Sequence, residues 1–186
     1  MSIGVDSWLE IRPFLLVTCN LSLACQAVAL AEAGHSSLVT YYRRMAKTHK
    51  ATCYCGAVEI ELRGEPLEIG YCHCEACRRY SAAPVSAFTL WKIDNVKVTK
   101  GAEFLGKFKQ SELSDRRNCT KCGGDIMVDH PTLGLIDVRL GALRNFPFKP
   151  TVHFNYEETV LPMKDGLPKL KDFPAAIGGS GQALPE

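Results

Sequence analysis

Residues 119–124 read Cys-Thr-Lys-Cys-Gly-Gly, and this short stretch decides what kind of fold the chain can form. Two thiolates three residues apart fit around one tetrahedral zinc ion, and the glycines let backbone N–H groups turn towards the sulfur atoms. The stretch therefore has the form of a zinc knuckle. A knuckle supplies only two ligands, so another pair must come from elsewhere in the chain.

Cysteines upstream of the knuckle are the candidates for that pair. Seven of the nine cysteines lie between residues 53 and 122. Pairs as close as these are poor partners for ordinary structural disulfides, and an odd number leaves one thiol over. The spacing therefore predicts reduced thiolates that bind metal in a cytoplasmic compartment. The upstream candidates are Cys53 and Cys55, followed by Cys72, Cys74 and Cys77.

The seven cysteines can be divided between two zinc ions in more than one way. Cys53 and Cys55 with the knuckle would make a closed site of four thiolates, which is structural because no coordination position remains. The other three cysteines would then hold an ion with one open position, the usual composition of a catalytic site. The spacing also allows the knuckle to pair with two cysteines of residues 72–77. In a further alternative His73 is a fourth ligand, although it points away from both neighbouring cysteines if the segment is extended.

Around the cysteines the chain reads as a series of short strands. Residues 57–62 alternate apolar and charged side chains, and residues 67–71 are predicted to form a second strand, which gives a hairpin. Gly and Pro separate many such segments, which favours a mainly β domain. One short helix is predicted at residues 75–81, and further strands at 85–91, 96–99, 103–109, 125–129, 135–140 and 152–156.

The two ends of the chain differ from its middle. We expect residues 1–45 to be a helical or disordered extension outside the fold, residues 46–174 the zinc-binding domain, and residues 175–186 a flexible tail. Residues 13–33 are mostly apolar, which allows a signal peptide or a short amphipathic helix at residues 21–33. The leader is not positively charged and polar residues interrupt the apolar stretch, so we do not expect a membrane span.

The overall charge limits the choice of partner. Charged residues make up 23% of the chain and the formal net charge is only +2. Such a balance does not supply a nucleic-acid groove or a polybasic membrane patch. Nucleic-acid and membrane binding are therefore not expected.

The cysteine motifs together resemble those of a known family, the glutathione-dependent formaldehyde-activating enzymes, which also includes centromere protein V. The similarity extends from about residue 51 to residue 173. It rests on the order and spacing of all seven cysteines and on a late Asp-Gly-Leu-Pro at residues 165–168. The matching motifs are Cys53-x-Cys55-Gly56, Cys72-His73-Cys74-x-x-Cys77-Arg78-Arg79 and Cys119-x-x-Cys122-Gly123.

This resemblance implies a β-tent fold of short antiparallel strands with two zinc ions per chain. It implies a carbon–sulfur lyase that acts on a thiol–aldehyde adduct, such as S-hydroxymethylglutathione formed from glutathione and formaldehyde. The predicted partner is then a small-molecule thiol. The resemblance assigns the structural site to Cys53, Cys55, Cys119 and Cys122, and the second, catalytic site to Cys72, Cys74 and Cys77.

Several nearby side chains have an interpretation in this reaction. A thiol that enters the open position would ionise readily, and Arg78 and Arg79 follow the site and could bind a substrate carboxylate. His73 could relay a proton, and His153 reads as a residue that packs behind the ligands. His130 and Trp91 read as turn and core residues. The alternative function is a zinc-binding module without catalysis, used for partner or ligand binding.

Overall fold

The computed structural model of the protein describes residues 47–185, which belong to the second of two units of the chain, Tyr42–Glu186. The expectations for residues 1–45 lie outside the described residues, and the domain boundaries stay predictions. The strands are β1 (Thr48–Thr52), β2 (Glu59–Arg63), β3 (Glu68–Cys72), β4 (Ser86–Lys92), β5 (Val96–Lys100), β6 (Leu105–Ser111), β7 (Ser114–Cys119), β8 (Asp125–His130), β9 (Leu135–Arg139), β10 (Val152–Phe154), β11 (Lys169–Leu170) and β12 (Ala183–Leu184). Helix α1 covers Glu75–Ser81, and short 3-10 turns cover Ile93–Asn95, Ala102–Phe104, Pro131–Leu133, Leu140–Ala142, Tyr156–Glu158 and Ala175–Ile177.

The strands form two sheets, which confirms the prediction of a mainly β fold. The smaller sheet has three strands in the order β1-β2-β5, and the larger has nine in the order β12-β11-β10-β3-β4-β9-β8-β7-β6. Neighbouring strands are antiparallel except at β10, which runs parallel to both β3 and β11. Between residues 47 and 185 no helix has the length and apolar character needed to cross a membrane.

The predicted hairpin of β2 with β3 is wrong, although both strands exist. Strand β2 already pairs with β1 on one side and β5 on the other, so it has no free edge for β3. Gly64 turns the chain out of the smaller sheet with a φ of 83°, and its N–H donates to Lys47 O at 2.7 Å. Leu67 N–H then donates to Leu90 O at 2.7 Å, which starts β3 beside β4 in the larger sheet.

Both ends of the described chain carry strands that were not expected. Strand β1 precedes the first cysteine pair and pairs along its whole length with β2. Strand β12 lies within the segment that we expected to be a flexible tail, and it pairs antiparallel with β11. Its partner β11 is also short and follows the late Asp-Gly-Leu-Pro stretch. The larger sheet therefore continues past residue 174.

Strand β4 separates two apolar clusters, each of which contains one group of cysteines. Phe88 and Leu90 pack in the cluster that contains the cysteines of residues 72–77. On the opposite face, Trp91 packs in the cluster that contains the knuckle, as expected of a core residue. The indole N–H of Trp91 donates to Thr89 Oγ1 at 2.8 Å, so its polar atom is satisfied inside the core. The two groups of cysteines thus lie on opposite sides of one central strand.

Candidate metal centres

One candidate centre, the four-cysteine cluster, consists of Cys53, Cys55, Cys119 and Cys122. Their four sulfur atoms all lie within 4.8 Å of one another. The Sγ–Sγ distance is 3.6 Å between Cys53 and Cys55 and 3.9 Å between Cys55 and Cys119. Four sulfurs at about 2.3 Å from a tetrahedral zinc ion lie about 3.8 Å apart, whereas a disulfide needs about 2 Å. The donors therefore fit a zinc ion and exclude a disulfide.

Two matching turns build the four-cysteine cluster. Gly56 and Gly123 each follow the second cysteine of their pair, and both adopt the left-handed conformation, with φ of 72° and 73°. A Cβ at either position would cost conformational energy at these φ values, and glycine avoids that cost. One turn lies between β1 and β2 and the other between β7 and β8, so the cluster joins the smaller sheet to the larger.

The other candidate centre, the three-cysteine cluster, consists of Cys72, Cys74 and Cys77. Their sulfur atoms also lie within 4.8 Å of one another, with 3.5 Å between Cys72 Sγ and Cys74 Sγ. Cys72 ends β3, Cys74 caps the N-terminus of α1, and Cys77 lies in its first turn. The N–H of Cys77 donates to Cys74 Sγ at 3.2 Å, as a helix-capping contact. A strand that runs directly into a short helix thus gathers the three sulfurs.

Side chains that are distant in sequence donate hydrogen bonds to this cluster. Asn155 Nδ2 lies 3.4 Å from Cys72 Sγ. The Nη2 atoms of Arg116 and Arg139 lie 3.8 Å and 3.9 Å from Cys77 Sγ. Hydrogen bonds with Cys72 and Cys74 hold the pKa of Cys77 far below its usual range, and the two guanidinium charges act in the same direction. The hydrogen bond with Cys74 in turn raises the pKa of Cys72, and the pKa of Cys74 is raised to about 11. Without metal, Cys77 is therefore the sulfur of this cluster that most readily carries the negative charge of a metal-binding thiolate.

A cavity of about 410 Å³, here called the sulfur cavity, opens onto the three-cysteine cluster. All three cysteines line it, whereas none of the four-cysteine cluster does. Its charged lining consists of Arg116, His130 and Asp137. Most of the remaining wall is apolar and includes Leu90, Val128, Leu135 and Phe154. A small molecule in this cavity would lie against the three sulfurs in largely apolar surroundings.

His73 turns away from the sulfurs, as the alternation of side chains in an extended segment predicts. Its Nε2 lies 2.8 Å from His153 Nδ1, and its Nδ1 lies 2.8 Å from Thr159 Oγ1. Burial lowers the pKa of His73 to about 4, so the ring is neutral near pH 7. Behind it, His153 Nε2 lies 3.0 Å from Asp165, which also accepts from Lys169. Both ring nitrogens of His73 thus have partners on the face opposite the cysteines.

The two arginines that follow the cluster in sequence lie outside the sulfur cavity. Arg78 Nε donates to the backbone oxygen of His73 at 2.9 Å, which holds the turn between β3 and α1. Arg79 is 80% exposed and forms an ion pair of 3.7 Å with Glu75. Their role in substrate binding stays a prediction.

Several polar residues beside the sulfurs or the cavity were not expected there. His130, interpreted from sequence as a turn residue, ends β8 and lines the sulfur cavity together with Asp137. Alternation along Leu135–Arg139 indicates only that Arg139 lies on the face opposite to buried Ile136 and Val138. A charged residue on that face of an antiparallel strand usually faces water, whereas Arg139 is buried beside Cys77 Sγ. The sequence around Arg116 and Asn155 contains no comparable signal.

The chain is similar to a known family, to a curated relative and to a solved structure. Residues 48–158, which include both cysteine clusters, match the family described as glutathione-dependent formaldehyde-activating enzyme. An uncharacterized lyase of Schizosaccharomyces pombe is 29% identical over 75 residues, which are 40% of this chain and 53% of the relative. The chain thus matches about half the length of this curated relative. A crystal structure of a Rhodobacter sphaeroides protein has 26% identity and a TM-score of 0.45, covering 52% of this chain and 89% of that one.

Proposed function

The chain belongs to the family of glutathione-dependent formaldehyde-activating enzymes, and from this we propose that it is a zinc-dependent carbon–sulfur lyase. Its substrate would be an adduct of a thiol and an aldehyde, such as S-hydroxymethylglutathione. The relative described as a lyase supports an enzyme of this class. The free thiols of the described clusters suit a reducing compartment, which favours the cytoplasm.

The proposal is carried by one contrast between the two clusters. Four sulfurs complete a tetrahedral set, whereas the three-cysteine cluster supplies one ligand fewer and opens onto the sulfur cavity. We infer that the four-cysteine cluster holds a structural zinc ion and the three-cysteine cluster a catalytic one. When bound at the three cysteines, the ion supplies a Lewis acid that lowers the pKa of a thiol in contact with it.

The reaction needs no oxidant, reductant or second substrate. In the direction of cleavage the carbon–sulfur bond breaks and its electron pair stays on sulfur. The hydroxyl oxygen loses its proton as the carbonyl double bond forms, and the products are a thiol and an aldehyde. The apolar walls formed by Leu90, Val128 and Phe154 limit the access of water to the sulfur, which strengthens its interaction with nearby positive charge.

The test is the rate at which formaldehyde exchanges with its glutathione adduct. Magnetisation-transfer NMR measures this rate at equilibrium, with and without the zinc-loaded protein. We expect the wild type to raise the exchange rate and Cys74→Ser to return it to the uncatalysed value. Cys25→Ser is the matched control, because Cys25 lies outside both clusters in the sequence and should leave the rate unchanged.

If the wild type carries both zinc ions and the exchange rate still equals the uncatalysed value, the protein is not a lyase for this adduct. Repeating the measurement with smaller and larger thiols then separates a different substrate from no catalysis. If no thiol gives a faster exchange, the protein is a zinc-binding module without catalysis.

A further inference from the structure

Arg116 lies where the sulfur cavity meets a second cavity of about 570 Å³. The residues common to both linings are Ala76, Gln110 and Arg116. The register of the sheet explains this position, because Arg116 of β7 lies between Phe108 of β6 and Val128 of β8. Phe108 lines the second cavity and Val128 the sulfur cavity, so Arg116 is the strand residue between the two.

The guanidinium of Arg116 has no carboxylate among the partners that it contacts. The residue is only 4% exposed. Its Nε donates to Gln110 Oε1, its Nη2 lies near Cys77 Sγ, and its Cζ lies 4.9 Å from the centroid of the Tyr80 ring. Its Nη1 is buried without a hydrogen-bond partner among the described residues. A buried positive charge with an unpaired N–H donor destabilises the fold unless an anionic group pairs with it.

Every other charged residue in the two linings already has an opposite charge beside it. In the sulfur cavity His130 Nε2 lies 3.3 Å from Asp137, whose hydrogen bond and charge outweigh burial and raise the pKa of His130. In the second cavity Glu75 and Arg79 form their own ion pair. Beyond the linings, Arg139 donates to Asp125 at 2.8 Å. Among these residues, Arg116 alone lacks a carboxylate at ion-pair distance, and the negative charge that it contacts is that of Cys77 Sγ.

We propose that Arg116 selects a negatively charged thiol, because its guanidinium binds the anionic group of a substrate whose sulfur approaches the three-cysteine cluster. The inference rests on the proposed function, since it requires a thiol in the sulfur cavity. A guanidinium binds a carboxylate through parallel N–H···O bonds. Nη1 of Arg116, which is buried and has no hydrogen-bond partner among the described residues, would supply one of them once the side chain turns towards the ligand. Arg78 and Arg79, expected from sequence to bind a carboxylate, do not line this cavity, whereas Arg116 does.

A simpler role for Arg116 is to balance the charge of the cluster itself. Three thiolates around a divalent ion carry one net negative charge, and Arg116 lies beside one of those sulfurs. That role would make the residue important for every thiol, whether charged or neutral. Selection, in contrast, makes the residue important only for a thiol with an anionic group. The ratio of the affinities for a charged thiol and for a neutral thiol therefore distinguishes the two roles.

The experiment compares 3-mercaptopropionate with its neutral amide, 3-mercaptopropionamide, by calorimetric titration of the zinc-loaded full-length protein. We expect the wild type to bind the carboxylate more tightly by about tenfold, the typical effect of a hydrogen bond to a charged group. Arg116→Gln should bring the two affinities close to each other, and Arg116→Lys should restore part of the preference. Arg117→Gln is the matched control, because Arg117 pairs with Asp129 at 3.0 Å and lines neither cavity.

Two outcomes would contradict the proposal that Arg116 selects thiols with an anionic group. Equal affinity of the wild type for both thiols would do so without any variant, which keeps the test valid even if Arg116→Gln fails to fold. Equal weakening of both thiols in Arg116→Gln would assign the residue to charge balance alone. If neither thiol binds the wild type, the exchange measurement with glutathione separates the two failures. Catalysed exchange would then overturn only the selection by Arg116, and an uncatalysed rate would overturn the proposed function.

Discussion

At the scale of single residues, the two clusters differ in what donates hydrogen bonds to their sulfurs. The N–H of Val58 donates to Cys53 Sγ at 3.2 Å, which is a contact that the backbone itself fixes. The three-cysteine cluster also has a backbone donor, the N–H of Cys77, but in addition it receives side-chain donors from Asn155, Arg116 and Arg139. Side chains can be exchanged without moving the backbone. The three-cysteine cluster should therefore be the one that point substitutions can tune.

Replacing one cysteine in each cluster should have very different effects on stability. Cys119 is 0% exposed and lies in the core, so Cys119→Ser should unfold or aggregate the domain. A structural zinc ion contributes on the order of 10 kcal/mol to folding. Cys74→Ser should keep the fold and lose one zinc ion, since its cluster is local and opens onto a cavity. Circular dichroism, thermal melting and metal analysis measure both effects.

The matched control for this pair is again Cys25→Ser, which should keep both zinc ions and the melting temperature. Equal damage in Cys119→Ser and Cys74→Ser would show that the structural and open clusters are wrongly assigned.

Asn155 allows a gentler test of the three-cysteine cluster. It adopts the left-handed conformation, with φ of 53°, which aspartate also tolerates. Asn155→Asp should therefore keep the shape of the turn but replace the N–H donor to Cys72 Sγ with a carboxylate oxygen. We expect zinc affinity at this cluster to fall by about 10- to 100-fold, the usual effect of losing a contact to a metal ligand.

Competition with a chelating dye measures that affinity, and Asn145→Asp is the control because Asn145 is also left-handed, with φ of 52°, but exposed. Unchanged affinity in Asn155→Asp would mean that the contact to Cys72 does not support metal binding.

At the scale of elements, the close approach of β3 and β10 holds the three-cysteine cluster in place. Gly70 of β3 lies opposite Val152 of β10 in the parallel pair, and Cys72 lies opposite Phe154. A Cβ at Gly70 would come within 2.5 Å of the backbone oxygen of Val152. The backbone cannot give way without separating the strands. The position of Cys72 therefore depends on a glycine two residues earlier.

We predict that Gly70→Ala destabilises the protein by about 1–3 kcal/mol, as overpacking of a tight site usually does. It should also weaken zinc binding at the three-cysteine cluster. Denaturant unfolding and metal titration measure the two effects. Gly141→Ala is the control, because no atom lies within 4 Å of a Cβ at Gly141 and its φ is not positive. If Gly70→Ala changes neither the free energy of unfolding nor zinc binding, β10 does not constrain β3.

Features that depend on local spacing could be predicted from the sequence, whereas the pairing of strands could not. Strand β5, helix α1 and the close pairs of cysteines could be predicted, because each depends on spacing or alternation within a few residues. Partners of strands depend on the whole sheet, so the pairing of β3 with β10 had no local signal. Strand β7 (Ser114–Cys119) was not predicted, because its sequence is polar and charged. It is buried because β6 and β8 lie on either side of it in the sheet. The side-chain donors to sulfur were missed for this reason, since they come from β7, from β9 and from Asn155 directly after β10, all distant in sequence from the cysteines that they contact.

At the scale of the whole molecule, the two clusters should release zinc at different rates. The four-cysteine cluster connects two sheets and has no open position, so a chelator must first displace a thiolate. At the three-cysteine cluster a chelator can enter through the sulfur cavity and contact the ion directly. We expect native mass spectrometry to find two zinc ions per chain, and an added chelator to remove one quickly and one slowly.

Loss of the fast ion should leave the melting temperature nearly unchanged, because the sheets stay joined. A single ion per chain, or one common rate of release, would contradict the division into a closed and an open centre.

The order of the cysteines along the chain also sets the order in which the centres can form during synthesis. Cys72, Cys74 and Cys77 leave the ribosome almost together, so they can capture zinc early. Cys55 and Cys119 are 64 residues apart, and closing such a loop costs more entropy than closing a local one. Cys53 and Cys55 must wait until Cys122 has been made. Of the seven cysteines in the two clusters, they are therefore exposed longest to oxidation, and the zinc ion that we expect to stabilise the fold would be the last to be captured.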